Sequence, residues 1–331
     1  MQHWLAENRD QLASKSILYP RLEASEHNHH AAMPWLLGFD DFFEFPNLAR
    51  VVGGPTEKVA SRSQKHWRSI RKQSAQLTAA NCIISSEAMW RFWDDRTMGR
   101  IAGKLRAAFD QVNLVGYVRS PAEAFSSRCR QSIRSKGIIS LPKPGFEDQD
   151  GSFGVGQKWQ SSQVGKLHLY AYETKQLPEG DIATHFVQNH VPEATDLIAT
   201  PAKRYNTALS AEALALLQEF IAAKKSRISP NKVPGFLHKF RNAVRDVDRT
   251  LDSFQKAQLH PNVARLINAS VPSLIALRDT YGVHFSDVDY DLVGTVDDRG
   301  LTENTLVGDI FVLDHERLDA LREAVHVFLH S

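Results

Sequence analysis

Apolar runs and amphipathic stretches alternate along most of the chain. The run Val112–Val118 has the length and composition of a buried strand, and Ser120, Pro121 and Glu123 directly behind it spell a helix start. Earlier, residues 2 to 14 read as a helix with Trp4, Leu5 and Leu12 on one side, and Ile17–Tyr19 as a short strand closed by Pro20. An irregular stretch through a histidine cluster to about Pro46 precedes a polar helix over 57–79, a strand over Cys82–Ser85 and a helix over 98–110 carrying Ile101, Leu105 and Phe109. Lys166–Tyr172 alternates as a further strand. Gly180-Asp181 opens a short helix through Val187, and Ser210 with Glu212 caps a helix over Leu214–Ile221. Beyond Pro230 the pattern is mostly helical (235–247, 250–258, 271–280) and closes with a strand at Asp309–Leu313 and an amphipathic helix at Glu316–Leu329.

Helices alternating with apolar strands predict a three-layer α/β fold, a parallel central sheet flanked by helices, with a largely helical C-terminal extension. The expected division is an α/β core over 1–225 and a helical region over 226–331 packed on it. Residues 141–156 hold two Pro and four Gly and read as a loop, either a lid or a plain linker.

Composition narrows the function classes. With 331 residues, 42% hydrophobic and 24% charged, the chain can bury one large core. Its 40 basic and 38 acidic residues leave a formal charge of +2, which points away from bulk nucleic-acid or membrane binding. Two cysteines, Cys82 and Cys129, lack metal or disulfide spacing and read as packing residues. No apolar run reaches membrane-spanning length and residues 1 to 20 do not read as a signal peptide, so the expectation is a cytoplasmic protein.

Arg119 therefore stands at the carboxyl end of a strand, with a helix N-terminus behind it and Ser127 two turns along that helix, on the same face as Ser120. Such an edge is where open α/β sheets bind ligands, and an Arg beside a hydroxyl suits a phosphate. A capped surface helix whose Arg pairs with a carboxylate would look the same. Arg128, Arg130, Arg134 and Lys136 add positive charge nearby, of which Arg130 and Arg134 read as a solvated helix face.

Arg119-Ser120-Pro121 with Ser127 resembles the 3′-phosphate-binding element of sulfotransferases that use 3′-phosphoadenosine-5′-phosphosulfate (PAPS). His3–Leu12, Ile17–Arg21, Asn28-His29-His30, Asn81–Glu87, Leu177–Ile182 and Arg204–Ser210 resemble segments of bacterial members in the same order, so the likeness spans about residues 2 to 220. It implies that Arg119 and Ser127 hold the 3′-phosphate of PAPS as co-substrate, with no metal. The partner it implies is a hydroxyl-bearing acceptor, a glycan or similar.

Family members also begin with a strand and a Pro-Lys-Thr-Gly-like loop around the 5′-phosphosulfate, ahead of a helix that resembles residues 2 to 14. This sequence opens inside that helix. Gly53–Lys58 is a poor substitute, since Pro55 removes a donor and Glu57 repels the anion. The expectation is a sulfotransferase-like protein that transfers a sulfuryl group from PAPS to a hydroxyl of a carbohydrate or similar acceptor and, without that loop, holds the activated sulfate poorly, the alternative being a non-catalytic relic that binds 3′-phosphoadenosine-5′-phosphate or a glycan. The acceptor's proton needs a base, for which His29, His30 and Glu87 are candidates. A solvated loop for the histidines, and a helix-start carboxylate for Glu87, are the bland readings. Metal-dependent hydrolysis by the histidine cluster is the weakest alternative.

Overall fold

A computed structural model describes residues 1–23, 26–38, 56–77, 81–90, 94–139, 151–199, 209–225, 233–295 and 305–330. In chain order the first elements are α1 (Gln2–Glu7), α2 (Arg9–Ser14), β1 (Ile17–Leu18), α3 (Met33–Leu37), α4 (Thr56–Leu77), β2 (Asn81–Cys82), α5 (Asp95–Arg106) and β3 (Asn113–Val118). There follow α6 (Pro121–Lys136), α7 (Ser152–Ser161), β4 (Lys166–Ala171), α8 (Ile182–His190) and α9 (Ala211–Lys225). The last are α10 (Val233–Thr250), α11 (Pro261–Ala269), α12 (Ser273–Tyr281), α13 (Val307–Ile310) and α14 (His315–His330). The protein is mixed α/β and mostly helical. No described helix is long and apolar enough to cross a membrane.

Contacts divide the chain into two compact units. One comprises Met1–Val118, Gln149–Lys203 and Ala276–His284, the other Arg119–Asp148, Arg204–Ile275 and Phe285–Ser331. Both draw on chain from either side of residue 225.

In the first unit the described strands form two parallel pairs rather than one continuous sheet. β1 pairs with β2 (Ile17 with Asn81), and β3 with β4 from Asn113–Lys166 to Val118–Ala171. β2 and β3 do not pair with each other among the described residues, yet the same apolar layers line both. Ile83, just after β2, packs in one cluster with Val115 and Tyr117, and Cys82 and Ile84 pack in another with Leu114. Two glycines let β3 and β4 close up. A Cβ on Gly116 would lie 2.8 Å from Leu169 and 2.9 Å from Trp90, and one on Gly165 only 1.8 Å from the Val112 carbonyl oxygen.

Local chemistry explains where elements start and stop. The helix expected over 2–14 breaks at Asn8, whose side-chain amide and backbone N–H both donate to the Trp4 carbonyl at 2.8 and 3.1 Å. The break turns Arg9 inward, where Nε donates to the Tyr19 carbonyl at 3.2 Å and the guanidinium lies 5.3 Å from the Tyr19 ring centroid. Part of the loop expected over 141–156 is helical: α7 begins at Ser152 because Val155 and Trp159 bury their side chains, and Gly156 lets it approach Leu169 and Tyr281. Residues 141–150 lie outside the described residues.

The second unit is helical around a core that includes Phe125, Ile133, Leu214, Val244, Phe311 and Leu321. α6 starts as expected, with Glu123 N–H donating to Ser120 Oγ at 3.4 Å, and ends at Gly137 in the left-handed region (φ 69°). At its centre lies a buried ionic network. Arg317 Nη1 donates to Glu212 Oε2 and Asp248 Oδ1, both at 2.9 Å, and to Ser210 Oγ at 3.0 Å, while Nη2 reaches the Asp248 carbonyl at 2.8 Å. Ser210 Oγ donates to Asp248 Oδ1 at 2.7 Å and accepts the Ala213 N–H, so the expected helix cap is present. Two expectations fail here. No helix covers 251–258: Arg317 Nε takes the Asp252 carbonyl, and Ser253 adopts φ 62°. The strand expected at Asp309–Leu313 is a helical turn capped by Asp309 (Leu306 N–H to Oδ2, 2.8 Å), with one antiparallel bridge from Phe311 to Leu259.

Burial pushes both thiols, Cys82 and Cys129, up to about 12. Neither should react with iodoacetamide at pH 8 in the native protein, and both should in urea. Native alkylation of either within minutes, read by mass spectrometry, would contradict this packing.

Candidate functional site

Arg119 is the first residue after β3 and Ser127 sits two turns into α6. Arg119 Nη1 donates to Ser127 Oγ at 3.0 Å, at an exposed position. The pair expected to share an anion is therefore in contact.

The first turn of α6 differs from the anion-ready terminus inferred from sequence. Ser120 Oγ donates to Asp287 Oδ2 at 2.7 Å, Ala122 N–H donates to Asn268 Oδ1 at 2.9 Å, and Asn268 Nδ2 donates to the Asp287 carbonyl at 3.0 Å. A carboxylate and an amide of the chain itself already occupy the donors that a phosphate would use. An anion at this place would have to be held by side chains.

Those side chains extend beyond Arg119. Arg130, read from sequence as solvated, is half-buried: Nη1 donates to Ser126 Oγ at 3.0 Å and to the Ala257 carbonyl at 3.4 Å. Burial lowers its guanidinium from the usual range, with Glu123 opposing and Arg119 adding to the effect. Lys256, 3.7 Å from Glu123, is lowered by burial, with Glu123 again opposing and Arg130 and Arg119 reinforcing. Arg134 is exposed, as expected. Arg119, Arg130 and Lys256 repel one another and outnumber the nearby carboxylates Glu123 and Asp287, a positive local potential that favours an anion.

The histidine cluster belongs to the first unit. His29 is fully buried and serves the backbone: its N–H donates to the Ser85 carbonyl, its Nδ1 accepts the Ser85 N–H, each at 2.9 Å, and its Nε2 lies 3.0 Å from the Pro20 carbonyl. Since Nδ1 accepts, Nε2 carries the proton and donates it to Pro20. Burial lowers this imidazole to about 4, the two backbone hydrogen bonds opposing. No ring nitrogen of His29 is left for a substrate. It ties the chain after β1 to the exit of β2, together with the Tyr19 hydroxyl, which donates to the His27 carbonyl at 2.6 Å.

His30, one residue on, is half-buried, with Nδ1 2.9 Å from Ser86 Oγ. Ser86 also caps the 3-10 turn Glu87–Met89 by accepting the Ala88 N–H at 3.3 Å. Glu87 opens that turn, exposed. The candidates His29, His30 and Glu87 are thus neighbours around Ser85-Ser86, and both ring nitrogens of His29 are engaged by the backbone. Trp90 packs against Gly116 and is core, and Trp93 lies outside the described residues.

Sequence reasoning missed Asn268 and Asp287, whose only signal is a polar identity far along the chain, and Lys256.

No family model, curated protein or solved structure matches this chain.

Proposed function

We propose that this chain is sulfotransferase-like, binding the 3′-phosphate of PAPS or its product and transferring a sulfuryl group to a hydroxyl of a carbohydrate or similar acceptor. The observation that carries the reading is the Arg119–Ser127 contact at the carboxyl end of β3, within a cationic neighbourhood. The guanidinium and the hydroxyl would each turn a donor to the phosphate, exchanging their mutual bond for charge-assisted ones.

In the reaction the acceptor oxygen attacks sulfur in line, the bond from sulfur to the 5′-phosphate oxygen breaks, and 3′-phosphoadenosine-5′-phosphate leaves. The acceptor's proton goes to a base, for which His30 is the first candidate. His29 acts as a positioning residue, and Glu87 is the second candidate base. The finer fold belongs to the same proposal. That finer fold is a three-layer arrangement in which a parallel central sheet is flanked by helices.

Titration calorimetry with 3′-phosphoadenosine-5′-phosphate tests the reading. Arg119→Ala should weaken binding by about 2 kcal/mol or more, roughly 30-fold. Equal affinity in wild type and variant would overturn the assignment. Binding that depends on Arg119 without turnover of PAPS would favour a non-catalytic binder.

A further inference from the structure

Helix α8 is seated on the β3–β4 pair by rings, and half of them are imidazoles. His190 lies 5.1 Å from His168 of β4, 5.6 Å from Tyr170 and 5.4 Å from Phe186, centroid to centroid. His185 meets Tyr170 edge-on at 4.6 Å, and its Nδ1 is 2.9 Å from the Tyr117 hydroxyl. The Nε2 atom of His190 is buried and has no hydrogen-bond partner among the described residues. A proton placed there gains no acceptor and adds charge beside two further imidazoles.

The surrounding charges give little help. On β4, Lys166 repels a proton on His168. At the start of α8, Asp181 is engaged by the Thr184 N–H and hydroxyl, at 2.9 and 3.0 Å, with the Met1 amine as a further neighbour. On the flanking 3-10 turns Glu179 and Glu193 are exposed, and Asp196 is bridged to Lys15 at 2.8 Å. The charges felt by His190 are those of His168 and His185.

We propose that α8 is a proton-sensitive latch, held on the β3–β4 pair while His168, His185 and His190 are neutral and released as they take up protons. Burial, then His168 and His185, lowers His190 to about 4, and burial lowers His168 and His185 as well. With folded-state values below the unfolded value of about 6.5, the unfolded helix binds more protons. Stability is then full above that value and is lost progressively as pH falls from about 6.5 towards 4. This does not depend on the sulfotransferase reading.

His29 shares the same direction, so a local readout is required. Amide exchange of the full chain between pH 7.5 and 5.0, corrected for intrinsic rates, should show protection over 182–190 falling about tenfold more than over 211–225. In His190→Phe, which keeps a ring but cannot be protonated, that extra fall should shrink several-fold. An unchanged extra fall in the variant would overturn the proposal. So would a His190 ring proton in the wild type that titrates at 6.5 or above by NMR, a measurement that decides the matter even if the variant fails to fold.

Discussion

Arg317→Met is expected to cost about 3 to 5 kcal/mol of stability, read as a lowered urea midpoint. Among the described residues Arg317 is the single cation in contact with both Glu212 and Asp248, and all three side chains are buried. Methionine fills much of the volume but strands two carboxylates away from water and orphans the Asp248 and Asp252 carbonyls, which close the end of α10. The penalty is mainly that of unpaired buried charge. Adding Glu212→Gln and Asp248→Asn to Arg317→Met should therefore recover a good part of it, whereas a mere packing defect would not respond. A loss below about 1 kcal/mol for Arg317→Met would mean that the network is open to solvent.

Gly165→Ala is the second large effect, about 3 kcal/mol. The new methyl would sit 1.8 Å from the Val112 carbonyl oxygen, which is also the acceptor of the Lys166 N–H at 3.2 Å. A backbone carbonyl cannot swing aside as a side-chain end can, so the entry to the β3–β4 pair must part. The first hydrogen bond of that pair should lose exchange protection along with the drop in melting temperature. Gly116→Ala is the control, since its close neighbours are side chains, Leu169 and Trp90, that can shift. If both variants melt together near wild type, the approach of the two strands is looser than described.

What the sequence made legible is what short stretches of chain decide for themselves. The apolar run and the Ser-Pro-x-Glu start located β3 and α6, and Ser127 could be put on the helix face of Ser120, next to Arg119, because seven residues is about two turns. The four strands were found as strands, though β1 and β2 are shorter than expected, and the sheet expected to unite them is represented by two separate pairs. What escaped depends on partners distant in sequence. Nothing near Ala122 announces that Asn268 takes its N–H, and nothing near Ser210 announces Arg317. His29 and His30 are adjacent and alike in sequence. Which of them turns inward is decided by the Pro20 carbonyl and the Ser85 N–H, and a periodicity argument cannot see either.

The two parallel pairs also bear on how the chain reaches this arrangement. Ile17 must find Asn81 and Asn113 must find Lys166, each across a long intervening stretch, with loop-closure entropy paid before either contact rewards it. Refolding of this unit should be slow for its helix content, with far-ultraviolet ellipticity returning well before the burial of Trp4 and Trp159 restores native fluorescence.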